Sequence, residues 1–249
     1  MAIAVDTADT TNRTASASSL TYAFNNAAGN VLAVLSMSAD QTIPVTGVTY
    51  NTVAMTSGVT YNSATGSTDI QGWYLASPAT GSHNIVVTAG SSTQIQSGAI
   101  SFSGANTSSP LGDTTTHTGQ APGANTAVSV SITSNNASQY LVVYWEANGA
   151  TGGTTTATGT NETATWIRES PSRGGVFSRI STTTTGSKTS TIQQSGGGDQ
   201  SWVTIIWGIK QAAAAGPANW KTYNTNVKAN IKTLNTNAIA NIKTYDTIS

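Results

Sequence analysis

Leu20-Thr-Tyr-Ala-Phe24 and, shortly after it, Val31-Leu-Ala-Val-Leu-Ser-Met37 decide the fold class. The first alternates apolar and polar residues, the period of a strand with one face buried. The second is a continuous apolar run, which predicts a central strand covered on both faces. Further along, Val48-Thr-Tyr50 and Val53-Ala-Met55 flank Asn51-Thr52, the pattern of a two-residue hairpin. Segments 70–76 and 83–89 are joined by Ser77-Pro78-Ala-Thr-Gly81, with Pro and Gly where a turn needs them. The same texture continues through 99–103, 128–133, 140–146, 165–169, 175–181, 188–193 and 201–210, and no amphipathic helix interrupts it.

About a dozen short strands separated by Gly, Ser and Thr predict an all-β chain, an antiparallel two-sheet sandwich of jelly-roll-like character. The spacing alone leaves the topology open. Residues 107–125, which hold Pro110, Gly112, Gly119, Pro122 and Gly123, and residues 148–163, almost all Gly, Thr, Ala and Asn, read as long loops. The body spans 1–210, and 211–218 reads as a linker.

Residues 219–249 repeat themselves. Asn219-Trp-Lys-Thr-Tyr-Asn-Thr-Asn-Val-Lys-Ala is followed by Asn230-Ile-Lys-Thr-Leu-Asn-Thr-Asn-Ala-Ile-Ala and Asn241-Ile-Lys-Thr-Tyr-Asp-Thr-Ile-Ser. Read as a helix, Trp220, Tyr223, Val227, Ile231, Leu234, Ala238, Ile242 and Tyr245 form an apolar stripe of eleven-residue period. Thirteen of these tail positions are Asn or Thr, which costs a lone helix about 6 to 9 kcal/mol against Ala. Read as extended chain, Asn suits the turns and Thr the strands. In both versions a unit too short to close its own core requires a partner. The expected assembly contacts are Trp220, Tyr223, Val227, Ile231, Leu234, Ile239, Ile242 and Tyr245.

Several body segments carry a resemblance: residues 48–56, the run Gly72-Trp-Tyr-Leu-Ala-Ser-Pro-Ala-Thr-Gly-Ser-His-Asn-Ile-Val-Val-Thr88, Gly98-Ala-Ile-Ser-Phe-Ser-Gly104, and Trp202-Val-Thr-Ile-Ile-Trp-Gly-Ile-Lys210. Together they resemble a β-sandwich module of phage tail and virion surface proteins and of bacterial surface proteins. The Asn-Ile-Lys-Thr units are similar to C-terminal repeats of phage-type structural proteins. The resemblance implies a display or assembly role and carries no catalytic motif.

Charged residues make up 8% of the chain, against a usual share of about 25%. Cysteine is absent, which excludes disulfides and thiolate metal sites. The start, Met1-Ala-Ile-Ala-Val-Asp-Thr-Ala-Asp9, has no basic end and no apolar run of signal-peptide length, and no stretch is long enough to span a membrane. This combination predicts a protein made in a host cytoplasm and found in a virion, without membrane insertion. Lys221, Lys228, Lys232 and Lys243 against Asp246 give the tail a net charge of +3, and the body carries −3. Two readings of that asymmetry stand side by side: attraction between the tail and body of neighbouring copies, and lysines that simply solubilise an edge. The body has no basic cluster interleaved with aromatics, so nucleic acid is not an expected partner.

Catalytic patterns are weak. His83 follows a turn and His117 lies among threonines. Glu146, Glu162 and Glu169 are the only glutamates, and no spacing pairs them as acid and base. Gly186-Ser-Lys188-Thr lacks the spacing of a phosphate loop. Asp6, Asp9 and Asn12 offer oxygens to calcium, yet their spacing matches no calcium loop. Trp73, Trp145, Trp202 and Trp207 read as core, while Trp166, after a Gly/Thr loop, is placed to pack or to stack on a sugar at a rim. The expectation is a non-enzymatic virion structural protein, with no cofactor or metal and with copies of itself and other virion proteins as partners. The alternative is a carbohydrate-binding or adhesin module for host surface glycans.

Overall fold

The computed structural model describes residues 2–11, 13–63, 68–121, 127–148, 155–168, 173–194 and 200–213. The chain divides into a unit Met1–Ala212 and a second unit Ala213–Ser249. Most of the expected linker and the whole repeat tail, including Trp220, Tyr223, Val227, Ile231, Leu234, Ile239, Ile242 and Tyr245, lie outside the described residues.

The first unit is an all-β antiparallel sandwich, and no helix occurs among the described residues. Its first half contains β1 (Ala4–Ala8), β2 (Arg13–Asn26), β3 (Val31–Ser38), β4 (Val45–Tyr50), β5 (Val53–Ala54), β6 (Thr56–Ser63), β7 (Thr68–Ala76) and β8 (Gly81–Ser103). The second half contains β9 (Leu111–Ala121), β10 (Ala127–Ser134), β11 (Gln139–Asn148), β12 (Thr155–Ala157), β13 (Glu162–Arg168), β14 (Arg173–Thr182), β15 (Gly186–Gln194) and β16 (Gln200–Lys210).

Strand β8 takes part in two layers. Its first part, residues 81–89, pairs with β2 and β4. Its last part, residues 95–103, pairs with β3 on one side and, on the other, with β1 and with the first residues of β2, Arg13 to Ala15. The first half is therefore a sandwich of an inner sheet β1-β8-β3-β7-β6 facing an outer sheet β2-β8-β4-β5. The second half repeats this order with separate strands: β9-β16-β11-β14-β13 facing β10-β15-β12.

Irregularities recur at the same places. A bulge falls between Ser57 and Val59 where β6 pairs β7, and between Ala164 and Trp166 where β13 pairs β14. Gly81 and Gly186, which open β8 and β15, have φ of 94° and 102°. The body is thus one sandwich topology used twice. Pairwise identity between the halves is too sparse to stand out in the linear sequence, which is why only the tail repeat is legible there.

Three apolar layers hold the body together. One lies inside the first sandwich (Leu20, Tyr22, Phe24, Leu32, Val34, Ile85, Val87) and one inside the second (Val130, Ile132, Leu141, Val143, Trp145, Ile192). The third joins the two inner sheets through Val31, Ala33, Leu35, Ile70, Phe102, Val142, Tyr144, Phe177 and Trp207. Alternate residues of β3 enter different layers, which is why every residue from Val31 to Ser38 is buried. The alternation read at Leu20, Tyr22 and Phe24 is present as a half-buried strand.

Two expected loops are corrected. Residues 111–121 form β9, which pairs with β16 from Leu111 to Ala121. The prolines and glycines that suggested a loop cluster at its ends, whereas Thr114, Thr115 and Thr116 are strand formers on a sheet edge. Within 148–163, residues 155–157 form β12 and β13 begins at Glu162.

The two inner sheets approach closely at Gly72, where an added Cβ would come 2.7 Å from the Trp207 ring. Gly72→Ala is expected to lower unfolding free energy by about 1–3 kcal/mol, read from urea denaturation. Gly47→Ala, whose Cβ would meet nothing within 4 Å, should change it by less than about 0.5 kcal/mol.

Candidate functional site

Two polar grooves overlap in position in the two sandwiches: Ser82, His83 and Asn84 of the first correspond to Ser187, Lys188 and Thr189 of the second, while residues 180–184 line the second alone. The first, about 370 Å³, lies between the β4–β5 hairpin and the start of β8 and is lined by Thr49, Asn51, Thr52, Ser82, His83, Asn84 and Val86. The second, about 280 Å³, is lined by Thr160 and Asn161 before β13, by residues 180–184 and by Ser187, Lys188 and Thr189. Left-handed backbone shapes both. Asn51 and Thr52 have φ of 47° and 64°, the conformation of a type I′ turn between β4 and β5, and Tyr50 pairs Val53 across it. Asn161, at the corresponding turn, has φ of 59°.

A basic side chain stands two residues after the left-handed glycine in each groove: His83 after Gly81 and Lys188 after Gly186. His83 Nε2 lies 3.0 Å from the Thr80 carbonyl, and its ring meets Tyr50 edge-on with centroids 5.6 Å apart. Lys188 Nζ donates to Thr184 Oγ1 at 3.0 Å. The remaining lining groups are mostly amides and hydroxyls, a set that donates to and accepts from a polyhydroxylated ligand. Sequence reasoning placed His83 after a turn and set Gly186-Ser-Lys188 aside as a phosphate loop. The signal it missed is Gly-Ser-His83 and Gly-Ser-Lys188, the same three-residue pattern in both halves.

The carboxylates serve the frame. Asp6 accepts from the Ala28 N–H at 3.1 Å and the Ser101 hydroxyl at 2.9 Å. Asp6 lies at a register shift between Val5 and Thr7 where β1 pairs β8, and Asp113 beside the shift between Trp207 and Ile209 where β9 pairs β16. Asp113 accepts from the Asn135 N–H at 2.9 Å and from Gln139 Nε2 at 2.7 Å. Each ties the turn after its outer strand, β2 or β10, to the inner sheet. Asp9 accepts from Arg13 Nε at 3.1 Å and from the Thr11 N–H. Among the described residues no group of three or more His, Asp or Glu could hold a metal ion; Asn12 lies outside them.

Glu162 closes a buried polar cluster. One oxygen accepts from Ser178 Oγ at 2.5 Å and Ser190 Oγ at 2.7 Å, and the other from the Gly159 and Thr191 N–H groups. Trp145 Nε1 donates to Ser190 at 2.7 Å. The first sandwich has Met55, Trp73 and Ile85 at the matching positions, all buried, with Trp73 Nε1 donating to Ser36 at 2.8 Å. Glu146 is buried on β11. Glu169 lies outside the described residues.

Of the tryptophans read as core, Trp73, Trp145 and Trp207 are buried. Trp202 is half-buried and packs on Trp145 with ring centroids 5.2 Å apart. The Trp166 side chain lies outside the described set. His117 is on strand β9, not in a loop, with its Nε2 2.9 Å from Thr115 Oγ1. No family model matches this chain, and no curated protein or solved structure matches it either.

Desolvation pushes the Asp6 and Asp113 carboxyls up, but the hydrogen bonds they accept outweigh it and hold both below the ordinary value of 3.8. Their stabilisation is complete above that value and is lost as pH falls through the depressed one. Asp6→Asn and Asp113→Asn should therefore flatten the loss of stability below about pH 4, measured by denaturant midpoints across an acid series. Burial pushes Asp69 the other way, above 3.8, despite hydrogen bonds from Gln71 and the Val45 N–H.

Removing the Glu162 acceptor strands two hydroxyls and two backbone N–H groups. Glu162→Met, which installs the residue of the first sandwich, should cost about 1–3 kcal/mol in chemical denaturation at neutral pH.

Proposed function

We propose that this chain is a non-enzymatic structural protein displayed on a phage particle, as a capsid decoration, head fibre or tail fibre component, and assembled through its C-terminal repeats. The observation that carries the reading is the division of the chain: a compact unit Met1–Ala212 ends just before the repeats begin, and Ala213–Ser249 forms a unit of its own. A rigid body joined to a short periodic segment suits display, because one part faces outward and the other supplies a contact.

Three further features support it. The body segments 48–56, 72–88, 98–104 and 202–210 resemble virion surface modules. The Asn-Ile-Lys-Thr units place Trp220, Tyr223, Val227, Ile231, Leu234, Ile239, Ile242 and Tyr245 at recurring positions. Lys221, Lys228, Lys232 and Lys243 give the repeats a positive charge that complements the acidic body of a neighbouring copy. The partners in this reading are copies of the same chain and other virion structural proteins, and the location is the virion.

A second reading, attachment to host surface glycans, is favoured by the two grooves and is compatible with display.

Deletion of residues 219–249 should leave a folded β body by circular dichroism that no longer forms the assembly of the full chain by sedimentation and electron microscopy. An unchanged assembly would remove the role given to the repeats.

A further inference from the structure

We propose that the two grooves are related saccharide sites, built on corresponding turns and strand starts, each taking one acidic sugar unit of a glycan. The anionic substituent of the sugar meets His83 in the first groove and Lys188 in the second. Its hydroxyls meet the surrounding amide and hydroxyl side chains. The proposal deepens the glycan reading and is independent of how the protein assembles.

The first support is equivalence. The interiors of the two sandwiches differ in chemistry, with Met55, Trp73 and Ile85 in one replaced by Glu162, Ser178 and Ser190 in the other. The topology needs a left-handed turn at Gly81 and Gly186, and it needs the turns at Thr52 and Asn161. It does not need a basic residue two positions after the glycine, nor a lining of Asn, Ser and Thr. Both grooves nonetheless have them.

The second support is electrostatic. The body holds nine acidic residues against six lysines and arginines and two histidines, so a basic group would not be expected at both grooves on charge alone. No carboxylate is among the described lining residues of either groove. The nearest acidic side chain in sequence, Glu162, turns inward to Ser178 and Ser190. Each groove thus offers one basic group with no competing acid; an anion gains a charge-assisted hydrogen bond from the Lys188 ammonium, and from the His83 imidazole when that ring is protonated.

The third support is the hydrogen-bonding set. Asn51, Asn84 and Thr49 in one groove, and Asn161, Thr160 and Thr189 in the other, each present donors and acceptors side by side. Vicinal hydroxyls of a sugar present the same alternation. An inorganic anion would use the basic group and leave the exposed amides to water. At about 370 and 280 Å³ the grooves suit a small ligand, near the lower bound of about 300 Å³ for such sites. Their walls are strand ends and tight turns, so little ordering is needed on binding.

The test uses the full chain in isothermal titration and ligand-observed NMR, with four probes: sialyllactose, a hyaluronan tetrasaccharide, lactose and inorganic phosphate. Expected is binding of at least one acidic saccharide at two sites per chain, about tenfold or more tighter than lactose, with phosphate a weak competitor. Lys188→Ala and His83→Ala should each remove one site, and the double variant both, with the circular dichroism spectrum unchanged. Lys188→Arg should retain its site. Equal affinity for lactose would overturn the role of the two basic groups, and phosphate binding as tightly as the saccharides would overturn the saccharide assignment. Binding that survives the double variant, or no binding of either acidic saccharide, would discard the sites. Particle assembly, scored on the same variants, should be unaffected, which separates this outcome from that of the repeat deletion.

Discussion

The indole of Trp207 rests on Gly72, in the apolar layer where the two inner sheets meet, and the architecture of the body depends on that layer. Burying an aromatic of this size removes roughly 150–250 Å² from water, about 4–6 kcal/mol at 25 cal/mol per Å². Val31, Ala33 and Leu35 from β3 and Val142 and Tyr144 from β11 extend the same layer. Because each inner sheet is covered by its own outer sheet on one side and by the other sandwich on the second side, its central strands have no solvated face. Pulling the halves apart would expose both inner sheets at once, so the two sandwiches behave as one body.

The two copies keep the same frame with different interiors. Bulges, left-handed turns and a carboxylate tying the turn after the first outer strand to the inner sheet recur, because they set where strands bend and end. Inside, the demand is only that volume be filled and polar groups be paired. The first sandwich meets it with Met55, Trp73 and Ile85, and Trp73 finds its acceptor in Ser36. The second puts the tryptophan on β11, at the place of Ser36, and a serine on β14, at the place of Trp73; Glu162 satisfies the hydroxyls. The indole N–H is paired in both. The grooves belong to the other category, surface features that the frame permits without requiring.

The strand pattern was legible where burial leaves a period. Leu20, Tyr22 and Phe24 alternate because one face is wet, and 31–38 is continuous because neither face is. The hairpin at Asn51-Thr52 was legible because these positions adopt left-handed backbone. Strand β9 was not, since an edge strand of Thr and Gly has little apolar signal and its proline-rich flanks imitate a loop. The duplication was hidden because topology constrains hydrogen-bond register and turn handedness, and few residue identities. The grooves were hidden for the same reason, since Asn51 and Asn84 meet only through strand pairing.

By itself, the sequence determined an all-β chain with central strands covered on both faces, low charge, no cysteine, and a periodic C-terminal segment set off from the body. Those are consequences of composition and local period, which act within a few residues. Only the tertiary structure decided that the body is two stacked copies of one sandwich, that Asp6, Asp113 and Glu162 are spent on turns and buried hydroxyls, and that His83 and Lys188 occupy matching grooves. Each of these depends on residues far apart in the chain, brought together by pairing and packing that no local period encodes.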